Sequence, residues 1–180
     1  DLEGLVYLNE IESLLYGKGI EIAMVNESGE LFIGSVFDGD QTVDRKNFKK
    51  VIIEDKRLPT NAGPEGVTYD PHTDTLWVAF EGTGDKTTRI MKYPRPKNFT
   101  DGLNITKTGV MPFDIQKITK TKDIAGLTFN PVTGRLIVLG EVNRRVYDLG
   151  LNGEFYGKHI LEDHQFEGIC FNTDTNELIL

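Results

Sequence analysis

A short motif that recurs four times along the 180-residue chain constrains its fold more than any other feature. Each copy places a glycine after an acidic or small residue, and an apolar residue, a variable residue and an aromatic ring follow. The four glycines are Gly4, Gly66, Gly126 and Gly168. Because they stand about 40 to 60 residues apart, the motif marks repeated units that bury their apolar faces against one another.

The residues around each glycine predict short antiparallel strands. The residues after the glycine alternate with period two, and in the second and third copies an Asp-Pro or Asn-Pro pair at 70–71 and 130–131 favours a turn. Returning and further strands are predicted at 76–80, 89–93, 136–139, 144–148 and 155–160. Several short strands per unit, without a convincing amphipathic helix, predict an all-β chain folded as a β-propeller. A β-sandwich is the alternative, but sandwiches do not repeat a motif at the length of one blade.

Two polar stretches with Pro or Gly, at 38–50 and 94–114, interrupt this pattern and predict long loops between strands. They could shape a ligand entrance or decorate the surface, and surface decoration is the simpler interpretation.

Composition limits the classes of partner. The net charge of −8 would repel a phosphate backbone, so nucleic-acid binding is disfavoured and a cation or a basic partner is the better electrostatic match. No apolar run in this segment is long enough for a membrane span. The single cysteine, Cys170, lies in an alternating apolar stretch and is expected to be a small buried hydrophobe.

The motif copies together resemble the SdiA-regulated, YjiK-like propeller family, which is similar to NHL-type and phytase-esterase-like propellers. The resemblance rests on the order and spacing of the stretches at 1–8, 65–71, 76–81, 123–127, 143–147 and 166–169. It implies a five-bladed propeller with a bound calcium ion and no established activity, in which one further blade precedes the equivalent of residues 1–8. We therefore expect residues 1–180 to form about four blades of one propeller domain that is incomplete at both ends. The blade starts are expected near 1–8, 62–81, 123–141 and 165–180.

Three glutamates directly precede motif glycines and are candidates for a metal site. The first strand of a propeller blade lines the central channel, so Glu3, Glu65 and Glu167 are expected near the axis on one face. Converging carboxylates repel one another unless a cation joins them. Calcium is the natural candidate because it takes six to eight oxygen ligands in flexible geometry.

The expected hairpin register adds Glu81 to this set. A hairpin that pairs Tyr69 near Leu76 would put Glu65 opposite Phe80, and Glu81 would follow at the same end.

The third copy departs from the others. The same register places Glu141 beside Ala125, which stands where the other copies have glutamate and therefore excludes a symmetric ring. Asp123 could substitute for the missing carboxylate. Alternatively, the glutamates cap backbone N–H groups or form ion pairs with residues such as Arg144 and Arg145.

Three N-x-S/T triplets, at Asn26, Asn98 and Asn104, are candidate glycosylation sites and favour an extracellular, periplasmic or cell-surface location.

The chain has neither a nucleophile elbow nor a P-loop, so an enzyme is the less favoured interpretation. We expect a calcium-binding propeller that serves an exported protein as a binding or structural module. A protein partner or self-assembly would suit such a module. The alternative is a metal-dependent hydrolase of the phytase or lactonase propeller type.

Overall fold

The protein is described by a computed structural model at residues 2–40, 42–54, 63–82, 88–162 and 166–180. In chain order its strands are β1 (Leu2–Ser13), β2 (Gly17–Asn26), β3 (Glu30–Phe37), β4 (Phe48–Ile52), β5 (Pro64–Asp70), β6 (Thr75–Phe80), β7 (Arg89–Pro94), β8 (Leu103–Asn104), β9 (Gly126–Asn130), β10 (Arg135–Gly140), β11 (Arg145–Leu149), β12 (Phe155–Ile160), β13 (Cys170–Asn172) and β14 (Glu177–Ile179). One five-residue helix, α1 (Ile115–Thr119), and short 3-10 turns at Arg45–Asn47 and Thr106–Thr108 complete the described elements. No helix in these ranges is long and apolar enough to cross a membrane.

The strands form four sheets, and each copy of the motif supplies the first strand of one sheet. The strand orders are β1-β2-β3-β4-β8 in sheet 1, β5-β6-β7 in sheet 2, β9-β10-β11-β12 in sheet 3 and β13-β14 in sheet 4. The first strands pack side by side, with β5 against β1 and β9, and β9 against β13. This arrangement is that of propeller blades around an axis, so the predicted fold is confirmed. The count of five blades and the blade boundaries stay predictions.

An acidic or amide side chain closes the first hairpin in sheets 2, 3 and 4. The carboxylate of Asp70 accepts hydrogen bonds from the backbone N–H of His72 at 2.9 Å and from the hydroxyl of Thr73 at 2.6 Å. Asn130 and Asn172 accept equivalent backbone bonds two residues ahead, both at 2.9 Å. Such Asx turns explain the short connections that the sequence predicts. In the first copy Leu8 takes this place, and β1 runs on to Ser13.

Among the described residues, the core consists of two layers of apolar side chains, one between sheets 1 and 2 and one between sheets 2 and 3. Alternate residues of β6 serve both layers, because Leu76, Val78 and Phe80 pack towards sheet 1. Trp77 and Ala79 pack towards sheet 3. A strand that is buried on both faces has a continuous apolar sequence, which is what residues 76–80 show.

The motif glycines contact one another from sheet to sheet. An ideal Cβ on Gly4 would lie 2.9 Å from Gly66 Cα, and one on Gly66 would lie 2.9 Å from the backbone nitrogen of Leu127 and 3.2 Å from Gly126 Cα. A Cβ on Gly126 would meet the side chain of Ile169 at 3.0 Å. Gly4 and Gly66 are therefore needed for the close approach of neighbouring first strands, whereas a Cβ on Gly168 would have no heavy atom within 4 Å.

A repeated hydrogen bond also joins neighbouring sheets. The backbone N–H of Phe129 donates to the hydroxyl of Thr68 at 2.9 Å, and the N–H of Phe171 donates to the hydroxyl of Thr128 at 3.2 Å. Each threonine lies two residues after its motif glycine and is buried. These bonds fix the offset between one first strand and the next.

Cys170 lies at the same position of the motif as these threonines, and the structure exposes it. The expectation of a buried cysteine is wrong: Thr68 and Thr128 are covered by the first strand of the following sheet, whereas no first strand follows that of sheet 4 among the described residues. Alternation along the strand predicts which residues share a face but not whether the face is covered.

The two stretches predicted as loops are partly strands. In the first, β4 begins at Phe48 and pairs with β3. In the second, residues 95–110 form what we term the edge-joining segment. Its β8 adds to the outer edge of sheet 1 in parallel with β4, and Val110 then pairs with Lys92 on the outer edge of sheet 2 through two bonds of 2.9 and 3.0 Å. The segment thus covers the outer edges of both sheets. The sequence interpretation, which treats it as surface decoration, does not predict this role.

Candidate functional site

The first strands of the four sheets line a cavity of about 500 Å³ near the axis. Its lining includes Glu3, Glu65 and Glu167, and Ala125 takes the fourth equivalent place. Most of the remaining lining is apolar or glycine. All three glutamates that precede motif glycines thus line this cavity.

A β-bulge sets the direction of Glu65. Tyr69 pairs with Leu76 as predicted, but Phe80 pairs with Pro64 and Ala79 with Gly66, so Glu65 is the extra residue between them. The predicted pairing of Glu65 with Phe80 is therefore wrong by one residue. The cause is the bulge, which adds a residue to one strand and turns its side chain away from the regular alternation.

The same irregularity recurs at the equivalent positions. The pairing of β1 with β2 shifts between Leu2 and Gly4, so Glu3 lies in it. In sheet 3, Leu139 pairs with Gly126 while its carbonyl oxygen accepts from the N–H of Ala125 at 3.0 Å. In the first three copies, the residue before the motif glycine thus lies in irregular backbone rather than in the regular pairing of the sheet.

Glu65 is surrounded by other carboxylates. Its side chain is half-buried, and this burial, together with the negative charges of Glu3, Glu81, Glu27 and Asp123, raises its pKa from an ordinary 4.5 to about 8. Within the described ranges, no hydrogen bond or ion pair compensates the side chain of Glu65.

Glu81 shares this environment. Its partial burial raises its pKa, and the charges of Asp123, Glu141 and Glu27 act in the same direction. We call the six residues that interact in this way the acidic cluster, which consists of Glu3, Glu27, Glu65, Glu81, Asp123 and Glu141.

The acidic cluster contains four of the five predicted glutamates. Glu167 lines the cavity but is exposed, and its charge is not among those that raise the pKa of Glu65 or Glu81. Asp123, which the sequence suggests only as a substitute, belongs to the cluster. Its carboxylate also accepts from the N–H of Val142 at 2.6 Å and so holds the turn that carries Glu141.

Glu27 is the member that the sequence interpretation missed. It lies in the turn between β2 and β3, outside every copy of the motif. Gly63 lets this turn approach sheet 2, because a Cβ there would collide with the backbone of Glu27. Only the packing of two sheets brings it near Glu65, so no local sequence signal could have found it.

The carboxylate oxygens of the acidic cluster are suitable ligands for a hard cation, but they are not arranged around one point as in a complete metal site. Carboxylate oxygens without a compensating charge are the ligands that calcium prefers. However, in the part of the chain that the structure describes, no group of three His, Cys, Asp or Glu side chains is arranged to hold a metal ion. The ion pairs between described residues lie elsewhere, and neither Arg144 nor Arg145 takes part in them.

Comparison with known proteins assigns the family. The sequence profile of the SdiA-regulated family matches residues 3–170. The chain belongs to the SdiA-regulated family. The order and spacing of the motif copies therefore identified the family correctly from sequence.

Solved structures with similar folds support the propeller architecture. A chain of the nidogen/laminin complex matches with 16% identity and a TM-score of 0.52, over 98% of this chain and 55% of that one. The β-propeller domain of Cps50 (Swd1) from Myceliophteria thermophila matches with 9% identity and a TM-score of 0.54, over 99% and 47%. The calcium-binding protein regucalcin from Agrobacterium tumefaciens matches with 16% identity and a TM-score of 0.51, over 84% and 49%. This SdiA-regulated chain thus spans about half the length of these structures, and at such low identity they show the fold alone.

Proposed function

We propose that this chain is part of a calcium-binding β-propeller that serves an exported protein as a binding or structural module. The observation that carries the proposal is the half-buried carboxylate of Glu65, which lies in the wall of the axial cavity among four other carboxylates. At neutral pH such a group is costly to ionise without a cation. A divalent ion bound there would compensate several charges at once.

Glu65, Glu3 and Glu81 are the residues that would hold the ion, and the remaining members of the acidic cluster would complete its oxygen ligands. Calcium would supply positive charge where these side chains repel one another. Since cluster members come from sheets 1, 2 and 3 or the turns beside them, binding would stabilise the contacts between sheets. The SdiA-regulated family resemblance and the fold similarity to regucalcin, a calcium-binding protein, support the choice of ion.

The proposal includes export and a protein ligand. The three N-x-S/T triplets support export. A protein partner or a second copy of the chain is the proposed ligand, in line with the nidogen/laminin complex, in which a similarly folded chain belongs to a protein assembly.

A metal-dependent hydrolase is the second candidate. The volume of the axial cavity, about 500 Å³, favours it because small-molecule sites have volumes in this range. In that case the same ion would polarise a phosphoryl or carbonyl oxygen of the substrate.

Calcium titration of the full-length protein tests the proposal. Calcium at 100 times its Kd should stabilise the wild type by about 2.7 kcal/mol, which corresponds to a rise in Tm of about 5–10 °C for a domain of about 150–250 residues and to less for a larger one. Glu65→Gln should reduce the rise, whereas Glu12→Gln, at an exposed position on β1, should keep it. No rise at millimolar calcium would refute calcium binding. Turnover of generic phosphomonoesters or lactones that Glu65→Gln abolishes would favour the hydrolase.

A further inference from the structure

The three N-x-S/T triplets differ in how the fold presents them. An N-linked glycan requires an asparagine amide that projects into solvent with space for a bulky sugar chain. It also requires the hydroxyl two residues later, which belongs to the same acceptor motif. The surroundings of Asn26, Asn98 and Asn104 therefore decide which of them can carry a glycan.

The side chain of Asn26 is held by hydrogen bonds to Glu30. Its amide nitrogen donates to the Glu30 carboxylate at 3.0 Å, and its amide oxygen accepts from the Glu30 N–H at 3.0 Å. Asn26 also pairs with Leu2 at the end of β2, and the next residue, Glu27, belongs to the acidic cluster. A glycan here would disturb the β2–β3 turn and cover the proposed calcium site.

Asn104 is held in regular structure although it is exposed. It lies in β8 and pairs with Ile52, and the following residue, Ile105, is buried in the core between sheets 1 and 2. The amide oxygen of Asn104 accepts from both the N–H and the hydroxyl of Thr106, at 3.1 and 2.8 Å. The hydroxyl that the acceptor motif needs is thus already engaged.

Asn98 is exposed and, unlike Asn26 and Asn104, lies outside regular structure. Asn98 and Thr100 are both exposed in the edge-joining segment, outside any strand. Phe99 between them packs against the core, and the ammonium group of Lys49 lies 5.5 Å from the centre of its ring. The backbone of Asn98 has a φ of 50°, a left-handed conformation that asparagine tolerates better than most residues. The triplet is therefore anchored at its middle residue and presents both reactive side chains to solvent.

The position of Asn98 also keeps a glycan away from the acidic cluster. The N–H of Arg95 donates to the carbonyl of Asp74 at 3.0 Å, so the edge-joining segment starts at the end of sheet 2 where β5 stops. Glu65 lies near the start of β5. The seven residues of β5 separate these ends by about 20 Å.

We propose that Asn98 carries an N-linked glycan and that Asn26 and Asn104 do not. The donor is a lipid-linked oligosaccharide pyrophosphate. The Asn98 amide nitrogen forms a bond to C1 of the first sugar and loses one proton. The bond from C1 to the pyrophosphate oxygen breaks, and the lipid pyrophosphate leaves with the electron pair of that bond and takes up the released proton. The inference rests on the proposed export, but not on calcium binding.

The test maps glycans on the protein purified from the organism that makes it. Enzymatic release of N-glycans in water labelled with oxygen-18 converts each occupied asparagine to labelled aspartate, which peptide mass spectrometry detects. We expect the label at position 98 and unlabelled asparagine at positions 26 and 104. Unmodified Asn98, or label at Asn26 or Asn104, would overturn the proposal.

Variants secreted from a glycosylating host provide matched controls. Thr100→Ala, which removes the hydroxyl of the Asn98 triplet, should abolish the glycan completely. Ser28→Ala, which removes the hydroxyl of the Asn26 triplet, should leave the mass of the attached glycan unchanged. A glycan that persists in Thr100→Ala would contradict the assignment. The calcium-induced rise in Tm should be equal with and without the glycan, because Glu65 lies near the start of β5, whereas the segment that carries Asn98 begins beside the turn after β5. Loss of calcium binding alone would leave the glycan assignment intact, so the two proposals fail separately.

Discussion

Gly66→Ala should destabilise the protein because it introduces a methyl group where two first strands meet. The new Cβ would lie 2.9 Å from the backbone nitrogen of Leu127 and 3.2 Å from Gly126 Cα, whereas optimal separations are about 3.5–4.0 Å. Backbone atoms cannot turn aside as a flexible side chain would. Sheets 2 and 3 must therefore move apart by about 0.5 Å or more at this point.

The expected cost follows from two opposing effects. Overpacking in a tight interior costs about 1–3 kcal/mol. Replacing glycine by alanine in a strand recovers about 0.5–1 kcal/mol. The net loss in the free energy of unfolding should therefore lie between about 0 and 2.5 kcal/mol, and its middle value of about 1.2 kcal/mol lowers the urea midpoint by about 0.6 M if m is about 2 kcal/mol per M.

Gly157→Ala is the matched control for this measurement. Gly157 also lies in a strand, β12, but an added Cβ there would have no heavy atom within 4 Å. Its urea midpoint should stay the same or rise slightly. If the midpoint of Gly66→Ala equals that of Gly157→Ala, the reasoning on glycine contacts between sheets is wrong.

Three further predictions concern the pH response, the bonds between sheets and the edge-joining segment. Without calcium, Glu65 in the folded protein keeps a proton that the unfolded chain releases between pH 4.5 and about 8. The free energy of unfolding should therefore fall as the pH rises through this range. In urea titrations at several pH values, Glu65→Gln should flatten this fall. Thr68→Val should lower the free energy of unfolding by about 1–3 kcal/mol in urea denaturation, because the buried N–H of Phe129 loses its acceptor, whereas Thr68→Ser should keep most of the stability. Asp101→Ala should speed limited proteolysis within residues 95–110, because the N–H of Lys50 then loses its 2.6 Å bond to this segment.

Each of these predictions has a contrary outcome. A metal-free pH profile that is identical in wild type and Glu65→Gln would show that the pKa of Glu65 is not raised by folding. Equal stability of Thr68→Val and Thr68→Ser would show that the hydroxyl does not contribute to the contact between sheets. Unchanged cleavage of Asp101→Ala would show that the bond to Lys50 does not hold the segment.

The local features of the fold could be predicted from the sequence, since short-range patterns determine them. The alternation after Gly66, the turn at Asp70 and the apolar run of β6 each depend on neighbouring residues, and the structure has all three. The register error at Glu65 arose because a bulge adds one residue without changing the composition of the strand. Nothing near Glu27 in the sequence signals the carboxylates it meets in space.

The pairing of β8 with β4 was equally beyond local patterns. The partner strands are separated by all three strands of sheet 2, and β8 is only two residues long. Such a short segment has no periodicity to detect, and its place depends on the open edge that sheet 1 offers.

This connection has a consequence for the order in which the protein folds. Sheet 1 is not complete until β8 has been synthesised, by which time the chain has also produced β5, β6 and β7. Contacts between residues distant in sequence slow folding, because a long loop must close before they form. During synthesis the outer edge of β4 therefore stays open to wrong partners until the edge-joining segment reaches it. The two sheets should then reach the native state in one kinetic step rather than one after the other.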